Sequence, residues 1–281
     1  MTLVKMKDIL EEAMEKNYGV GAFSVANMEM VIGAIRAAEE LRSPLILQIA
    51  EVRLNHSPIH MIGPLMVAAA KEADVPVAVH FDHGMTIEKI KQALEIGFSS
   101  VMYDGSHYLL QENIENTKAV VALAKQYGAT VEAEIGRVGG SEDGSEEIEI
   151  SLTSVEEAKH FANETGVDAL AIAIGNAHGM YQGDPHLHFD RLQEIAQQVK
   201  VPLVLHGGSG ICAEDFQQCI QYGIRKVNVA TATFHNVIHM INNSVQATPY
   251  TDYFKLHQDV IQAAYENVKN HMEIFGSCYK I

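Results

Sequence analysis

The chain has few basic residues for its length. Lys and Arg number 20 among 281 residues, against 36 Asp and Glu, so the formal net charge at pH 7 is −16. Nucleic acids and anionic membrane surfaces are bound through clustered positive charge. We therefore expect no nucleic-acid and no membrane partner. A small anionic ligand stays possible, because backbone N–H groups hold phosphate without basic side chains.

Cysteine is scarce as well, and long apolar runs are missing. The three cysteines, Cys212, Cys219 and Cys278, form no C-x-x-C pair, which argues against a disulfide framework and a cysteine-based zinc site. No stretch approaches the roughly 20 apolar residues of a membrane span. The charged, amphipathic N-terminus lacks the apolar core of a signal peptide. These features predict a soluble cytoplasmic protein.

No Pro-rich or Ser-rich linker divides the chain, so we predict a single domain over residues 1–281. Eight β-prone segments alternate with helical patterns whose apolar residues recur at i, i+3 and i+4. Several segments are apolar throughout, as is typical of parallel strands buried on both faces. This order predicts a (β/α)8 barrel with an additional C-terminal helix over 252–271. The predicted strands are 21–25, 44–50, 76–83, 99–104, 130–136, 169–174, 202–207 and 226–231.

Three histidines share one sequence context: each follows an apolar, β-prone run and directly precedes a glycine. They are His83 in VAVHFDHG, His178 in LAIAIGNAHG and His206 in PLVLHGGSG. A lone histidine is more often a structural residue than a ligand. Three at strand ends favour convergence at the C-terminal mouth of the barrel. Three imidazoles with an open fourth position form a ligand set that catalytic zinc uses.

Carboxylates occur at the same strand ends. Asp82 precedes His83, and both side chains can face one site only if the alternation of the strand breaks, which Gly84 would permit. We predict that Asp82 is a general acid/base, with a structural partner for a nearby histidine as the alternative. Asp104 and Glu134 are predicted either as ligands of a second or alternative cation or as groups that orient the histidines.

Glycine-rich strand ends predict an anion-binding cradle. HGGSG at 206–210 precedes one predicted helix, and NVAT at 228–231 precedes another. These loops follow the seventh and eighth predicted strands, where barrels of this type often bind phosphate at a helix N-terminus. The acidic, Gly-rich stretch at 139–151 predicts either a solvated loop or a mobile lid.

The motifs HFDHG, MYDGS, EAEIG, GNAHG, LHGGSG and KVNVAT, in this order, closely resemble those of the metal-dependent (class II) ketose-bisphosphate aldolases. NVAT in place of NVDT is most similar to the tagatose-bisphosphate branch. The likeness runs from about Leu3 to the C-terminal FGSCYK. The resemblance implies a (β/α)8 barrel that forms a homodimer or homotetramer. It also implies cleavage of a ketose phosphate to dihydroxyacetone phosphate and an aldehyde.

The resemblance also implies the metal ligands. His83, His178 and His206 match the ligands of the catalytic zinc. That zinc would stabilise the negative charge left when a C–C bond beside a ketone breaks. Asp104 and Glu134 match residues near a second or displaced metal position. The family often holds a monovalent cation, Na+ or K+, beside the substrate phosphate.

Matched motifs further imply the groups that contact the substrate. Asp82 would donate a proton at the hydroxyl of the scissile carbon, and Glu142 matches a mobile-loop carboxylate implicated in proton transfer. Asn27 is expected to contact the substrate. The residues expected to bind dihydroxyacetone phosphate are Gly179, Gly207, Gly208, Ser209, Asn228, Val229, Ala230 and Thr231.

Three positions depart from the family pattern. Gln182 stands where lysine is common, Ala50 where serine is common, and Ser24 where asparagine is usual. We therefore expect dihydroxyacetone phosphate to be retained and the aldehyde to differ, as a longer or unphosphorylated aldose or a sugar acid. Two alternatives stay open. One is another zinc-dependent barrel enzyme, a hydrolase or isomerase acting on a sugar phosphate; the other is a non-catalytic relative that keeps only the barrel.

Overall fold

The protein is built on a closed barrel of eight parallel strands. A computed structural model describes residues 2–140, 150–179, 181, 183 and 185–281. The strands are β1 (Val20–Ser24), β2 (Leu45–Ala50), β3 (Val77–Gly84), β4 (Ser100–Tyr103), β5 (Thr130–Ile135), β6 (Gly139–Gly140), β7 (Ala169–Ile172), β8 (Ala177–His178), β9 (Leu203–Leu205) and β10 (Ile224–Val229). The barrel order is β1-β10-β9-β7-β5-β4-β3-β2, and β6 pairs separately with β8. The predicted barrel is confirmed.

Helices follow the barrel strands and cover their outer face, and one further helix precedes β1. Within the described residues they are α1 (Met6–Lys16), α2 (Met28–Glu40), α3 (Ile59–Glu72), α4 (Ile87–Ile96), α5 (Leu110–Tyr127), α6 (Val155–Thr165), α7 (Phe189–Gln198), α8 (Ala213–Gln221), α9 (Thr231–Ala247) and α10 (Tyr253–Phe275). A short 3₁₀ helix, Glu51–Arg53, follows β2. The main apolar core lies between the strands and this helical layer.

The predicted C-terminal helix is confirmed as α10. It begins after Asp252, whose Oδ1 accepts a hydrogen bond from the backbone N–H of Phe254 at 2.9 Å, as expected of an acidic N-cap. The helix packs closely on α2, where a Cβ on Gly33 would lie 2.6 Å from the carbonyl oxygen of Ile261. Over the part of the chain that the structure describes, no helix combines the length and apolarity needed to cross a membrane.

The N-terminal end of the barrel is closed by α1, an element the sequence analysis did not predict. The helix buries Met6, Ile9, Leu10 and Ala13. These side chains form one cluster with inward-facing residues of the barrel: Val20, Ala22, Ile46, Ala78, Ala169, Ala171 and Val204. Because most of those residues are small, there is room for the helix to close the opening. The mouth at the other end is therefore the open face of the barrel.

Candidate active site

The three predicted histidines come together at the C-terminal mouth. His83 lies near the end of β3 and His206 directly follows β9, as predicted. His178 follows β7, as predicted, and lies on the separate short strand β8, opposite Gly140 of β6. Ring centroids are 4.5 Å apart for His83 and His206, and 4.9 Å apart for His83 and His178. One nitrogen from each ring lies within 4.8 Å of the other two.

Hydrogen bonds hold the segment after β7 across the loop after β9. Asn176 Nδ2 donates to the carbonyl oxygen of His206 at 3.0 Å. The Tyr181 hydroxyl accepts from the N–H of Ala177 at 2.9 Å and donates to the carbonyl of Gly207 at 3.0 Å. The approach is so close that a Cβ on Gly207 would lie 2.1 Å from the carbonyl oxygen of Ala177. This crossing places β8, and the histidine on it, over the mouth.

The strand alternation breaks at His83 itself. His83 has a φ of 44°, in the left-handed region that a residue with a Cβ rarely adopts. The register of β3 with β4 shifts between Phe81 and Gly84. The predicted break is therefore present, but the role of Gly84 is different from the expected one. A Cβ there would lie 2.5 Å from the carbonyl oxygen of Met102, so glycine supplies space rather than an unusual φ.

Asp104 orients His83. Its Oδ2 lies 2.8 Å from His83 Nδ1, and its Oδ1 accepts from the N–H and the hydroxyl of Ser106 at 3.1 and 2.7 Å. Burial by itself would raise the pKa of Asp104, but the hydrogen bonds from His83 and Ser106 hold that pKa below its usual range. Both oxygens of Asp104 are thereby engaged, which favours the orienting role among the two that were predicted.

Glu132 orients His206 from below the mouth. Glu132 Oε1 lies 2.8 Å from His206 Nε2, and Lys226 Nζ lies 2.8 Å from Glu132 Oε2. All three side chains are fully buried. Burial lowers the pKa of His206 well below its usual value, so the ring is neutral, as a metal ligand must be. With Nε2 donating to the carboxylate, Nδ1 presents its lone pair to the mouth.

Glu134 lies beside the histidines but, unlike Asp104 and Glu132, makes no short contact with a histidine nitrogen. Its Oε1 accepts a long, 3.4 Å hydrogen bond from the N–H of Val138. Its Oε2 is 3.7 Å from His206 Nδ1 and has no hydrogen-bond partner among the described residues. Burial, reinforced by the charge of Asp104, raises the pKa of Glu134 to about 8. Glu134 also groups with His83 and Asp104 at distances that could hold a cation.

Two amide side chains hold Asp82 at the mouth. Asn228 Nδ2 donates to Asp82 Oδ1 at 3.0 Å, and Gln48 Nε2 donates to Oδ2 at 3.1 Å and to Ser24 Oγ at 3.2 Å. Asp82 is 1% exposed. His80 Nε2 lies 3.7 Å from Asp82 Oδ1. A carboxylate with both oxygens facing amide donors is fixed in orientation, as proton transfer at a defined atom requires.

The glycine loops form a polar concavity beside these side chains. Gly207 turns with a φ of 64°, and Ser209 Oγ accepts from the N–H of Ala232 at 2.9 Å. The helix α9 begins at Thr231, the last residue of the NVAT segment that was expected to precede it. Ala230, at the N-cap position, has no side chain able to cap it. The N-terminus of this 17-residue helix directly follows β10 and so lies beside the mouth, where the positive end of a helix dipole favours an anion such as phosphate.

The histidine set fits a zinc ion. His83 Nε2 and His206 Nδ1 are 2.7 Å apart, while the opposite nitrogen of each ring faces a carboxylate. In that tautomer two lone pairs oppose one another, and a cation between them removes the repulsion. Three imidazole nitrogens with one side open match the donor chemistry of catalytic zinc. Carboxylates behind two of the rings match the orientation that zinc ligands need.

Comparison with known proteins gives the family. The sequence model of the class II fructose-bisphosphate aldolases matches residues 4–280. The chain belongs to this family. A sulfofructosephosphate aldolase of Alkalicoccus urumqiensis is 38% identical, with 99% of this chain and 98% of the relative covered. A 6-phospho-5-dehydro-2-deoxy-D-gluconate aldolase of Bacillus licheniformis is 39% identical, with 100% and 97% covered.

A solved structure supports the same assignment. The YdjI aldolase of Escherichia coli K12 superimposes with a TM-score of 0.89 at 33% identity, and 99% of each chain is covered. The protein is thus an aldolase, a carbon–carbon lyase, and the predicted family and enzyme class are confirmed. Membership supports aldol cleavage of a ketose phosphate.

In this class II aldolase, Glu142 and Gln182 lie outside the described residues. Asn27 Oδ1 accepts from the N–H of Met30 at 2.9 Å and so caps α2. The Val229 side chain is fully buried, so any substrate contact would come from its backbone. Gly179 turns at a φ of 85° directly after β8.

Sequence reasoning missed Glu132, Lys226 and the hydrogen-bonding role of Gln48 in this aldolase. A signal for the first two was available. Glu132 precedes Glu134 by two residues and Lys226 precedes Asn228 by two, so each shares a strand face with a predicted site residue. Lys226 is fully buried below the mouth, where it is paired with Glu132.

Proposed function

We propose that this class II aldolase catalyses the reversible, zinc-dependent cleavage of a ketose phosphate to dihydroxyacetone phosphate and an aldehyde. The observation that carries the proposal is the convergence of three histidines, two of them oriented by carboxylates, beside Asp82 and a helix N-terminus. His83, His178 and His206 would hold the ion. A bound zinc ion supplies a Lewis acid that stabilises negative charge on the substrate.

Asp82 is proposed as the proton-transfer group. In the cleavage direction its carboxylate accepts the hydroxyl proton of the carbon that becomes the aldehyde. In condensation it returns that proton to the new hydroxyl. The amides of Gln48 and Asn228 keep both oxygens in place at 3.1 and 3.0 Å. Glu142 is proposed, from the family resemblance, for the proton transfer at dihydroxyacetone phosphate.

The phosphate of dihydroxyacetone phosphate is proposed to bind between Gly207–Ser209 and the start of α9, with Gly179 on the opposite side. The positive end of the helix dipole favours an anion there. That arrangement suits a chain with a net charge of −16, since it needs no basic side chain. A monovalent cation beside the phosphate, a homodimeric or homotetrameric state and a cytoplasmic location rest on the sequence expectations.

The aldehyde is proposed to differ from glyceraldehyde 3-phosphate. Ala50 and Gln182 both replace polar or charged side chains that the family pattern has near the substrate. The substrates in the relatives' names already differ in the acidic group that they carry besides the shared phosphate. Each substrate combines a phosphate with a second acidic group: a sulfonate in sulfofructosephosphate, a carboxylate in the phosphogluconate derivative and a phosphate in fructose bisphosphate. We propose an unphosphorylated aldehyde, such as a sugar acid.

A metal-controlled aldehyde screen tests the proposal. Dihydroxyacetone phosphate is incubated with a panel of aldehydes, using enzyme as purified, enzyme stripped by chelator, and stripped enzyme with zinc restored. We expect condensation that the chelator abolishes and zinc restores, and solvent exchange of a C3 proton of dihydroxyacetone phosphate without any aldehyde. Hydrolysis or isomerisation without that exchange would contradict the aldolase. If glyceraldehyde 3-phosphate gave by far the highest kcat/KM among the aldehydes, the proposed change in aldehyde preference would be contradicted.

A further inference from the structure

We propose that a buried water molecule beneath the mouth links His80 to Asp82, and that His80 thereby positions Asp82 for C–C cleavage. The buried pair of Glu132 and Lys226 completes the surroundings of this water. The catalytic half of the inference rests on the proposed function, which assigns proton transfer to Asp82, whereas the water site is independent of it. Three features carry the inference: the distances between these side chains, the hydrogen-bonding capacity that they leave unused, and the contact of His80 with Ser100.

Charged and polar side chains meet inside the barrel below the mouth. His80 Nε2 lies 3.7 Å from Asp82 Oδ1 and 3.6 Å from Glu132 Oε2. Lys226 Nζ lies 2.8 Å from the same Glu132 oxygen. The two distances from His80 are too long for direct hydrogen bonds. Polar groups at such a separation are linked when a water molecule bridges them.

Two of these side chains have hydrogen-bonding capacity that the protein does not use. His80 Nε2 has no hydrogen-bond partner among the described residues. An ammonium group has three N–H donors, and the same residues offer Lys226 no acceptor besides the Glu132 carboxylate. Buried polar atoms in native proteins nearly always have a partner, either protein or ordered water. A small group that accepts from Lys226 and donates to His80 would satisfy both.

Ser100 determines which kind of partner His80 Nε2 needs. Burial, reinforced by the charge of Lys226, lowers the pKa of His80 well below its usual value, so the neutral ring carries one N–H. His80 Nδ1 lies 2.8 Å from Ser100 Oγ, which lies 3.4 Å from Met6 Sδ. Methionine sulfur can only accept, so both contacts form when the hydroxyl donates to sulfur and accepts from Nδ1–H. Nε2 then carries the lone pair and requires a donor.

Water meets these requirements better than a cation does. It would accept from Lys226 Nζ and donate to His80 Nε2 and Asp82 Oδ1, which gives three hydrogen bonds, the typical number for a buried water. Asp82 is 1% exposed and the other surrounding side chains are fully buried. His80, Asp82 and Glu132 also lie close enough together to hold a metal ion. Such an ion would lie against the positive charge of Lys226, so the site favours a neutral occupant.

The water would also decide which oxygen of Asp82 reacts. Oδ1 accepts from Asn228 Nδ2 at 3.0 Å, and a hydrogen bond from the water would occupy its second lone pair. Oδ2 accepts from Gln48 Nε2 at 3.1 Å, which leaves it one lone pair. The proton-transfer atom is therefore Oδ2. A carboxylate that lacks the donor on Oδ1 is held less firmly, and proton transfer at a defined atom slows.

Two substitutions of His80 separate its two nitrogens. The amide of asparagine lies near the position of Nδ1, so His80→Asn can keep the contact with Ser100 but not the one with water. The longer glutamine places its amide near Nε2, so His80→Gln can keep the contact with water. We expect His80→Asn to lower kcat for cleavage about 10-fold with KM changed less than about twofold, because one hydrogen bond to the proton-transfer group is lost. His80→Gln should recover most of that loss.

Solvent exchange at C3 of dihydroxyacetone phosphate separates positioning from general damage to the site. Under the proposed function this exchange does not involve Asp82, so His80→Asn should keep it within about twofold of the unmodified enzyme. Equal losses of cleavage and exchange, or equal cleavage by His80→Asn and His80→Gln, would overturn the positioning role. His271→Asn is the control. His271 is also buried, and its Nδ1 lies 2.8 Å from the carbonyl of Asn267, but it belongs to α10 outside the barrel.

Two measurements on the unmodified, zinc-loaded enzyme test the water itself. Nitrogen NMR shifts report which ring nitrogen carries the proton, and His80→Gln identifies the His80 signals by their loss. We expect the Nδ1–H tautomer, and the Nε2–H tautomer would overturn the arrangement. A crystal structure should show one water oxygen within about 3.2 Å of Lys226 Nζ, His80 Nε2 and Asp82 Oδ1. A metal ion there, or a direct bond between His80 and Asp82, would overturn the water site.

Failure of this inference differs from failure of the proposed function. If the unmodified enzyme with zinc restored shows neither cleavage nor C3 exchange, the proposed function fails, and the crystal structure still decides the water site. If both reactions occur and the water is present, but His80→Asn cleaves as fast as the unmodified enzyme, only the positioning role of His80 fails.

Discussion

The two ends of the barrel interior differ more than any two other regions of the molecule. The inward face of β3 illustrates the change, since it passes from Ala78 through His80 to Asp82 within one strand. Toward the N-terminal end, small apolar side chains contact α1. Toward the mouth, Glu132, Lys226 and the other inward side chains are charged or polar and still fully buried. One end stabilises the fold through apolar contact, and the other uses buried charge to orient ligand groups.

Replacing the buried lysine near the mouth, Lys226, has the largest expected effect on stability. Lys226→Met leaves the Glu132 carboxylate buried without its ion-pair partner. We expect the free energy of unfolding of the metal-free protein to fall by about 3–5 kcal/mol, the usual cost of breaking a buried pair. Urea unfolding measures this, with the exposed Lys125→Met as control. Equal stability of both variants would show that the pair carries no stabilising charge interaction.

Replacing both charges separates stability from metal binding. The double variant Lys226→Met, Glu132→Gln contains neutral residues of similar size, and we expect most of the lost stability to return. Its zinc affinity should remain about 10- to 100-fold weaker, because Glu132 no longer orients His206 as a carboxylate. Chelator competition measures that affinity. Recovery of both properties would assign Glu132 a purely structural role.

A variant at the apolar end should lose stability without losing zinc affinity. Leu10→Ala removes a fully buried side chain from α1, and we expect a loss of about 2–5 kcal/mol from the cavity that remains. Zinc affinity should stay within about twofold, because the lower cluster does not contact the histidines. Met14→Ala on the same helix is the control, since Met14 is 40% exposed. A large change in zinc affinity would mean that the two ends are coupled.

At the mouth, Asp82→Ala should affect chemistry with little effect on the metal. We expect zinc to remain bound while C–C cleavage slows by roughly 10²-fold or more, the usual contribution of general acid–base catalysis. Zinc content and kcat are measured on the same preparation, and Asp82→Asn serves as a size-matched variant. Near-normal turnover with intact metal would remove Asp82 from the mechanism.

The smallest predicted effect concerns pH. Burial lowers the pKa of His271, which lies against Phe23 and Phe216 outside the barrel interior. The unfolded chain, with a histidine pKa near 6.5, therefore binds the proton first as pH falls. The stability contribution is present above pH 6.5 and is lost below it, by at most about 1.4 kcal/mol per pH unit.

His271→Phe should therefore flatten the acid side of the stability curve of the metal-free protein. His160→Gln, at an exposed position, is the control and should leave the curve unchanged. The remaining slope would come from histidines such as His80 and His206, whose pKa values burial also lowers. An unchanged slope in His271→Phe would show that the outer layer contributes nothing to the pH dependence.

Much of this architecture was predictable because its signals are local. Apolar runs bounded by turns locate the strands, and amphipathic patterns locate the intervening helices. Polar residues at the ends of those runs identify the mouth, as His83, Asp104 and Glu134 illustrate. The order of the motifs is also sufficient to indicate the family, which the comparisons confirm.

Other features depended on side-chain direction within a closed barrel. Glu132 and Lys226 are paired only because β5 and β10 point them into the same interior, a relation that no local pattern contains. His178 required the segment after β7 to cross the loop after β9. The left-handed backbone of His83, with a φ of 44°, occurs at a histidine rather than at glycine.

The sequence by itself determined the elements, their alternation and the chemical groups available at the strand ends, because propensity, periodicity and residue type are properties of short segments. The tertiary structure alone decided which nitrogens of His83 and His206 face the mouth, which carboxylate lies behind each of these two rings and which interior end is apolar. Those properties arise from barrel closure and register, which bring residues far apart in sequence within a few ångströms of one another.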